Sequence, residues 1–372
     1  MSNRQNVVVV GAGGAGTATA RSLSSTLDPG KYNLILITAR PYYLHLIGSI
    51  RAAVTAEDNF AEQVAIPLDK LFVNGNGKII IGKVTGISEN SKNGGYVKLA
   101  NGMEVPYSIL VLAPGSYWQG PLSVPNTKQE HDQWFRQWQS KFENAQDILL
   151  IGGGAVGIEF AGEIKDLNPS KRVTIVHGGQ YLLNGAYPVR YRKDIERRLR
   201  LRGVELILGD VVPDRIEIGN VTTRNGKRLT PDLIVSCRGP RPNTAFIESS
   251  LGPEVLASNG FVTVLPTFQI PGHARIFAAG DVADLKEQKQ LGKYPEHANI
   301  ISANILAILS GQQPTQTYKG AKEIIIITIG KNGGASYFGI LWGLVFGDWF
   351  SSKLKSRTLR IGHIRTELGH ES

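Results

Sequence analysis

Two glycine-rich turns, each set between a β-branched run and a helix-forming run, constrain this chain more than any other feature. The first is Val7-Val8-Val9-Val10 followed by Gly11-Ala12-Gly13-Gly14-Ala15-Gly16. An Ala/Thr/Ser-rich helix is predicted next, over 17–25, and then a strand at Leu34-Ile35-Leu36-Ile37. The second is Asp147-Ile148-Leu149-Leu150-Ile151 followed by Gly152-Gly153-Gly154-Ala155-Val156-Gly157, with a helix predicted over 158–166 and a strand over 172–176. This order is what a dinucleotide-binding fold needs. The first glycine makes the tight turn and the second lets backbone approach a pyrophosphate. The third lets the helix pack on the strand, its N-terminus facing the phosphates. One such turn is a weak sign; two in the same context are a strong one.

A longer repeat ties the two together. Asn101-Gly102 is a hairpin-turn dipeptide, and thirteen residues after Gly102 the run Ile109-Leu110-Val111-Leu112-Ala113-Pro114 ends at Gly115. Asn225-Gly226 repeats the pattern: thirteen residues after Gly226, the run Leu233-Ile234-Val235-Ser236-Cys237-Arg238 ends at Gly239. We read a duplicated nucleotide-binding fold, each copy with a hairpin insertion and a buried closing strand. A further strand ends on Ala279-Gly280-Asp281, and a helix is predicted over 296–309. Pro295 and Glu296 suit its start, by fixed φ and by charge against the helix dipole. The predicted fold class is α/β: two Rossmann-like dinucleotide-binding domains plus a small α+β C-terminal segment.

A chain of 372 residues has room for two to three domains, and 42% hydrophobic against 19% charged residues makes a sizeable core rather than disorder the expectation. The net charge of +10 favours an anionic partner such as nucleotides, nucleic acid or an acidic membrane surface, though a solvated basic surface has the same composition. The single cysteine, Cys237, allows no internal disulfide and no Cys-x-x-Cys. That fits a reducing compartment and excludes the dithiol relay of many flavin disulfide reductases. No metal site is expected. No signal or transit segment is read at the start, and Ser2 stands where N-myristoylation needs glycine. No run reaches the roughly 18–20 apolar residues of a spanning helix. The expected location is cytoplasmic and not secreted, with peripheral contact to a lipid droplet, mitochondrial outer or plasma membrane left open.

The order of the first glycine-rich turn, Leu112-Ala113-Pro114-Gly115, Gly152-Gly153-Gly154-Ala155-Val156-Gly157-Ile158-Glu159 and Ala279-Gly280-Asp281 resembles the two-dinucleotide-fold flavoprotein superfamily, of glutathione-reductase-like architecture. Within it the chain is similar, nearly end to end, to the apoptosis-inducing-factor-like branch of ferroptosis suppressor proteins. Type II NADH dehydrogenases are more distant. The most specific stretches are 152–164, 279–304 with His297-Ala298-Asn299-Ile300, and Lys355-Ser356-Arg357. The resemblance implies an FAD-binding domain from 1–118 and 240–310, an NAD(P)H-binding domain over 119–239, and a C-terminal segment over 311–372. FAD would lie on the first fold, with Gly11, Gly13 and Gly16 at its pyrophosphate and Gly115 beside it. Asp281 would bond the ribityl chain or sit beside the phosphates. His297 is a further cofactor-side candidate, with packing at its helix start as the plainer reading. Two departures stand out. Thr38-Ala39-Arg40 replaces the acid that binds the adenosine ribose, making Thr38 and Arg40 the candidates there, and Pro114 replaces the threonine of the usual Ala-Thr-Gly.

NADH or NADPH would lie on the second fold at Gly152, Gly154 and Gly157. Its second strand ends Val176-His177-Gly178-Gly179, without the acid that repels a 2′-phosphate, so both cofactors are expected to work. Arg190, Arg192 and Lys193 are candidate phosphate partners. Glu159, placed in the first helical turn, is either a carboxylate stabilised by the helix dipole or, by the resemblance, a group near the nicotinamide and flavin rings. Lys355 is either part of a solvated basic tail or, by the resemblance, near the flavin. There an ammonium would stabilise the negative charge of the reduced ring. Trp118, Trp134, Trp138 and Cys237 are read as packing residues.

In the tail, a buried strand is predicted over 323–329 and a turn over 331–334. The apolar stretch 337–346 either packs on the FAD domain or a second subunit, making a homodimer, or offers a surface to a lipid-soluble substrate or a bilayer. Lys353, Lys355, Arg357 and Arg360 would then meet anionic headgroups. The resemblance implies an NAD(P)H:quinone oxidoreductase, reducing a quinone such as ubiquinone in a lipid-protective role. Composition and spacing alone reach only a flavin-dependent NAD(P)H oxidoreductase. The rivals are a reductase of a ferredoxin-like protein and a redox-sensing or DNA-binding protein of apoptosis-inducing-factor type. The scattering of the basic residues argues against the last.

Overall fold

The structure is a computed structural model that describes residues 4–90, 94–213, 218–340 and 343–371. Its first sheet has six strands in the order Gln269–Ile270, His273–Ala278, Ile109–Leu112, Gln5–Val10, Tyr32–Thr38 and Lys78–Ile81. All pairs are parallel except the edge pair of Gln269–Ile270 with His273–Ala278. The second sheet is wholly parallel: Val204–Leu208, Arg172–His177, Asp147–Ile151 and Leu233–Ser236. In both, the strand before the glycine turn lies between the strand after the glycine helix and the strand that closes the hairpin. Val7, Val8 and Val9 are fully buried, as are Ile148 and Leu150. Parallel strands covered on both faces need such continuous apolar runs, and each buried side chain contributes about 1.5–3 kcal/mol.

The glycine helices span Gly14–Thr26 and Ala155–Leu167, and each starts three residues before its predicted start. Gly13 and Gly154 are extended caps, so the last turn residues already belong to the helix. The helix of the Gly-Asp segment likewise starts early, at Tyr294, and runs to Leu309. The chain crosses from the first fold to the second through Ser116–Tyr117 and returns through Arg241–Pro242, and these two passages pair antiparallel.

The core does not follow the order of the segments. A helix inserted after the second strand of the first fold, Leu46–Val54, buries Ile50, Ala52 and Ala53 with Phe135, Trp138 and Phe142 of the Lys128–Asn144 helix and Phe160 of the second glycine helix. The tail joins the same core. Its strands Ile324–Thr328, Gly334–Phe338 and Leu344–Phe346 form an antiparallel sheet, and Ile327, Ile329 and Ala335 are buried there. Tyr337 packs against Tyr187 and Tyr191 of the second fold, ring centres 6.0 and 5.6 Å apart. Of the alternatives read for this stretch, packing within the chain is the one seen at Tyr337 and Val345, against the second fold rather than the first. It contributes to two strands, one ending at Phe338 and the next beginning at Leu344; Leu341 and Trp342 lie outside the described residues. Beyond it, a short helix, Asp348–Ser351, widens into a π-helical turn, Ser352–Ser356. Such turns are rare and recur at functional positions.

Candidate functional site

The two glycine turns have the same local geometry. Gly11 has φ +102° and Gly152 φ +119°, left-handed values that favour glycine. A Cβ at Gly11 would strike the Ala113 carbonyl, and one at Gly152 would lie 2.6 Å from the Cys237 carbonyl oxygen. A Cβ at Gly16 or Gly157 would strike the carbonyl of Gly11 or Gly152. At Gly13 and Gly154 nothing lies within 4 Å. The outer glycines are thus demanded by packing, the middle ones by open space above a helix N-terminus. Both cradles fit the close approach of a pyrophosphate.

Around the first cradle, Gly115 also faces open space, at φ +71°. Asp281 accepts hydrogen bonds from the Ser116 hydroxyl at 3.0 Å and from the Tyr294 hydroxyl. Burial, with the Asp281 charge, pushes the Tyr294 phenol well up, so it remains a donor. Thr38 is buried, and its hydroxyl donates to the Arg40 carbonyl at 3.0 Å while accepting from the Arg40 N–H at 3.2 Å. Its only donor is thus already used, and toward a ribose it could only accept. Arg40 donates to the Val124 carbonyl at 2.8 Å, while its Nε is a buried donor with no protein partner.

His297 is 1% exposed, its Nε2 lies 3.1 Å from Glu287 Oε1, and its Nδ1 is buried without a partner. Tyr318 donates to the other Glu287 oxygen at 2.6 Å, and Lys293 lies 3.6 Å from it. Burial alone would push the Glu287 carboxyl up. The His297 and Tyr318 hydrogen bonds and the Lys293 charge outweigh it and hold the carboxyl down at about 2. His297 therefore sits in a buried polar cluster at its helix start.

In the second cradle the Gly153 N–H donates to His177 Nδ1 at 3.2 Å. His177 occupies the strand end where an acid would read the ribose, and burial pulls its imidazole down. Of the three cations singled out for a phosphate, Arg192 donates to the carbonyls of Leu182 and Tyr181 at 2.7 and 3.0 Å, Lys193 lies over the Tyr181 ring, and Arg190 reaches the Gly343 carbonyl.

Glu159 and Lys355 are brought together. The helix starts at Ala155, so Glu159 lies past the first turn, which corrects its expected position at the dipole. Its Oε1 accepts from Lys355 Nζ at 2.6 Å and from the Thr328 N–H at 3.1 Å, and Lys355 also donates to the Ile326 carbonyl at 2.8 Å. The pair is buried where the second glycine helix, the tail sheet and the π-helical turn meet. One helical turn on, Glu163 takes a two-pronged bond from Arg51, at 2.7 and 2.8 Å. Sequence reasoning passed over both residues; the only signal was a charge inside each apolar helical run. His45, fully buried at the head of the Arg51 helix, donates Nε2–H to the Leu359 carbonyl at 2.7 Å. Burial, with the Lys355 and Arg360 charges, pulls it down to about 4 despite that bond. Cys237 is buried and unpaired, and burial pushes its thiol up.

Two dinucleotide cradles, one on a mostly parallel and one on a wholly parallel sheet, with a buried charged pair beside the second, define a two-fold reductase of flavoprotein type. Residues 5–303 match the pyridine nucleotide-disulphide oxidoreductase family, and the chain belongs to it. It is 43% identical over 318 residues to an FAD-dependent oxidoreductase, FVFD30, of Flammulina velutipes, covering 85% of this chain and 98% of that one. It is 31% identical over 363 residues to ferroptosis suppressor protein 1 of Taeniopygia guttata, covering 95% and 93%. Apoptosis-inducing factor homolog B of Dictyostelium discoideum is 28% identical over 396 residues, covering 99% and 98%. Among solved structures, the sulfide:quinone oxidoreductase of Aquifex aeolicus shares the fold, with a TM-score of 0.77 at 20% identity, covering 98% of this chain and 92% of that one. The chain is an FAD-dependent oxidoreductase of this family, with FAD and NAD(P)H as its cofactors. Among the described residues no helix is long and apolar enough to cross a membrane.

Proposed function

We propose that this chain is an NAD(P)H:quinone oxidoreductase with Glu159 and Lys355 as its charged centre. The observation that carries the reading is their buried 2.6 Å contact, which joins the second glycine helix to the tail. The bound cofactors supply the hydride chemistry. The first cradle, with Gly11, Gly13, Gly16, Gly115 and Asp281, holds FAD, Arg40 offers its unpaired donor on the adenosine side, and the His297 cluster braces the helix start. The second cradle, with Gly152, Gly154 and Gly157, holds NADH or NADPH. Lys355 holds a fixed positive charge in a site shielded from water, where such a charge stabilises developing negative charge more than it would in solvent. Glu159 fixes that ammonium in place and ties it to the tail sheet through Thr328.

The acceptor reading rests on two features. With one buried cysteine there is no dithiol to relay electrons, so an acceptor would approach the flavin directly. Beside and on the turn carrying Lys355, Trp349 is 72% and Leu354 42% exposed, with the Lys353 ammonium 4.5 Å from the Trp349 ring centre. An apolar surface with basic side chains suits a lipid-soluble acceptor at an anionic membrane. Overall, NAD(P)H and one proton convert a quinone to its quinol, and NAD(P)⁺ leaves. Regenerating a quinol is the lipid-protective role that the resemblance to ferroptosis suppressors supports. The DNA-binding reading is weaker: on the basic Val189–Leu201 helix, Arg197 and Arg198 pair with Asp194, and Arg192 is spent on backbone carbonyls.

The test is anaerobic turnover of FAD-loaded protein with NADH and with NADPH, using a short-chain ubiquinone analogue or a ferredoxin as acceptor. Quinone reduction well above the rate with oxygen is the expected result. Turnover with the ferredoxin alone would replace the quinone reading, and salt-sensitive DNA binding with negligible turnover would replace the enzyme.

A further inference from the structure

We infer that Arg51 is a positioning residue for Lys355, a device that sets where the ammonium stands rather than a group that meets a cofactor. This rests on the role proposed for Lys355 above. Arg51 and Glu163 are each 3% exposed. Arg51 Nε and one terminal nitrogen donate to the two Glu163 oxygens at 2.7 and 2.8 Å. That terminal nitrogen also donates to the Ser356 carbonyl at 2.6 Å, and the other donates to the Arg357 carbonyl at 3.0 Å. One rigid guanidinium thus grips the carboxylate one turn beyond Glu159 and the two carbonyls that follow Lys355. Both members of the Glu159–Lys355 pair are held from behind by the same plane of donors. His45 adds a second tie from the same helix segment, to the Leu359 carbonyl.

Stability alone is a poor reason for this arrangement. Burial pushes the Glu163 carboxyl up, against the Arg51 bond and charge that hold it down. Buried ion pairs can often be replaced by apolar residues without loss of stability. What an apolar residue cannot do is fix the direction of a backbone turn through three separate acceptors, which a planar fork of donors can. Lys355 lies on a π-helical turn, a loosely wound segment whose backbone needs an external reference to hold a long side chain on target. Arg51 supplies that reference from the first fold's side, and Glu163 supplies it from the second.

The experiment uses the FAD-loaded full chain and the variants Arg51→Met, Arg51→Lys, Lys355→Met and Arg51→Met/Lys355→Met. The readouts are the flavin midpoint potential, the single-turnover rate of flavin reduction by NADH, and thermal unfolding. Lys355→Met is expected to lower the potential and slow reduction at least tenfold. Arg51→Met is expected to move both the same way, slowing reduction three- to tenfold, and to add nothing once Lys355 is already Met. Arg51→Lys keeps a charge opposite Glu163 but loses the fork, so a smaller shift of the same sign is expected, and this variant carries the test if Arg51→Met fails to fold. A wild-type potential in the Arg51 variants beside a lowered one in Lys355→Met overturns the inference alone, as do effects that simply add. A wild-type potential in Lys355→Met overturns the inference together with the proposed role of Lys355.

Discussion

Lys355 Nζ lies 2.6 Å from Glu159 Oε1, although 196 positions separate them in the chain, and their side chains are only 12% and 7% exposed. The contact draws the tail onto the nucleotide fold, and its cost and its use separate cleanly by mutation.

Removing one member leaves a buried charge without its partner, which costs roughly 3–5 kcal/mol in comparable settings. Lys355→Met and Glu159→Gln are each expected to lower thermal stability, Lys355→Met by about 3 kcal/mol, and each to cut the rate of flavin reduction at least tenfold. The double variant should regain most of the stability and none of the rate. Unfolding curves and anaerobic stopped-flow on the same four proteins decide it. Activity that returns together with stability would reduce the pair to a structural clamp.

The middle glycines offer a second test. Gly13 and Gly154 have ordinary backbone, φ −82° and −78°, and open space where a side chain would go. Gly154→Ala is expected to fold as the parent does and to raise KM for NADH and NADPH at least tenfold, with FAD retained. Gly13→Ala should instead release FAD. Gly157→Ala would drive a methyl into the Gly152 carbonyl and should lower the melting temperature before any cofactor is added. Unchanged KM in Gly154→Ala would remove the pyridine nucleotide from the second cradle.

Much of the fold was legible because its signals are local. A β-branched run, a glycine turn and a hairpin dipeptide each constrain a few consecutive residues, and all recur in order in both halves. The helix starts were missed because Gly14, Ala15 and Ala155 read as turn. What escaped the sequence entirely is tertiary. Arg51 and Glu163 are single charges within apolar helical runs, and nothing local says that the fold buries them together across 112 positions. An apolar run such as Ile324–Thr328 announces a covered strand but not its cover; the strand is buried only toward its end, at Ile327 and Thr328, while Ile324 is exposed, and its cover is the second fold. Thr38 fits a ribose partner on paper, yet its hydroxyl closes the turn to Arg40.

The Glu287 cluster makes acid stability directional. Its carboxyl is held at about 2 in the fold, against about 4.3 in an unfolded chain. A lowered acid contributes stability that is complete above the unfolded value and disappears as pH falls through the folded one. The contribution is on the order of 3 kcal/mol, lost between about pH 5 and pH 2. Glu287→Gln should be less stable than wild type at pH 7, and the gap should close as pH falls through that window. Chemical denaturation at several pH values gives the difference. A constant gap would mean the carboxyl titrates normally.

The exposed side chains on and beside the turn that carries Lys355 test how an acceptor arrives. Trp349 is mostly exposed, with Lys353 over its ring, and Leu354 is partly exposed, so replacing both removes no fully buried side chain. Trp349→Ser/Leu354→Ser should keep the parent's melting temperature within a few degrees and its turnover with a soluble short-chain quinone. With a long-chain quinone held in vesicles containing anionic lipid, the same variant should lose at least fivefold in rate and bind the vesicles less in flotation. Added salt should weaken the wild-type interaction as well, because exposed basic groups beyond about 10 Å are screened at 0.1 M. Equal loss with both quinones would place these residues in the flavin's electron path rather than on a membrane-facing surface. No loss with either would leave the acceptor to enter from another side of the tail.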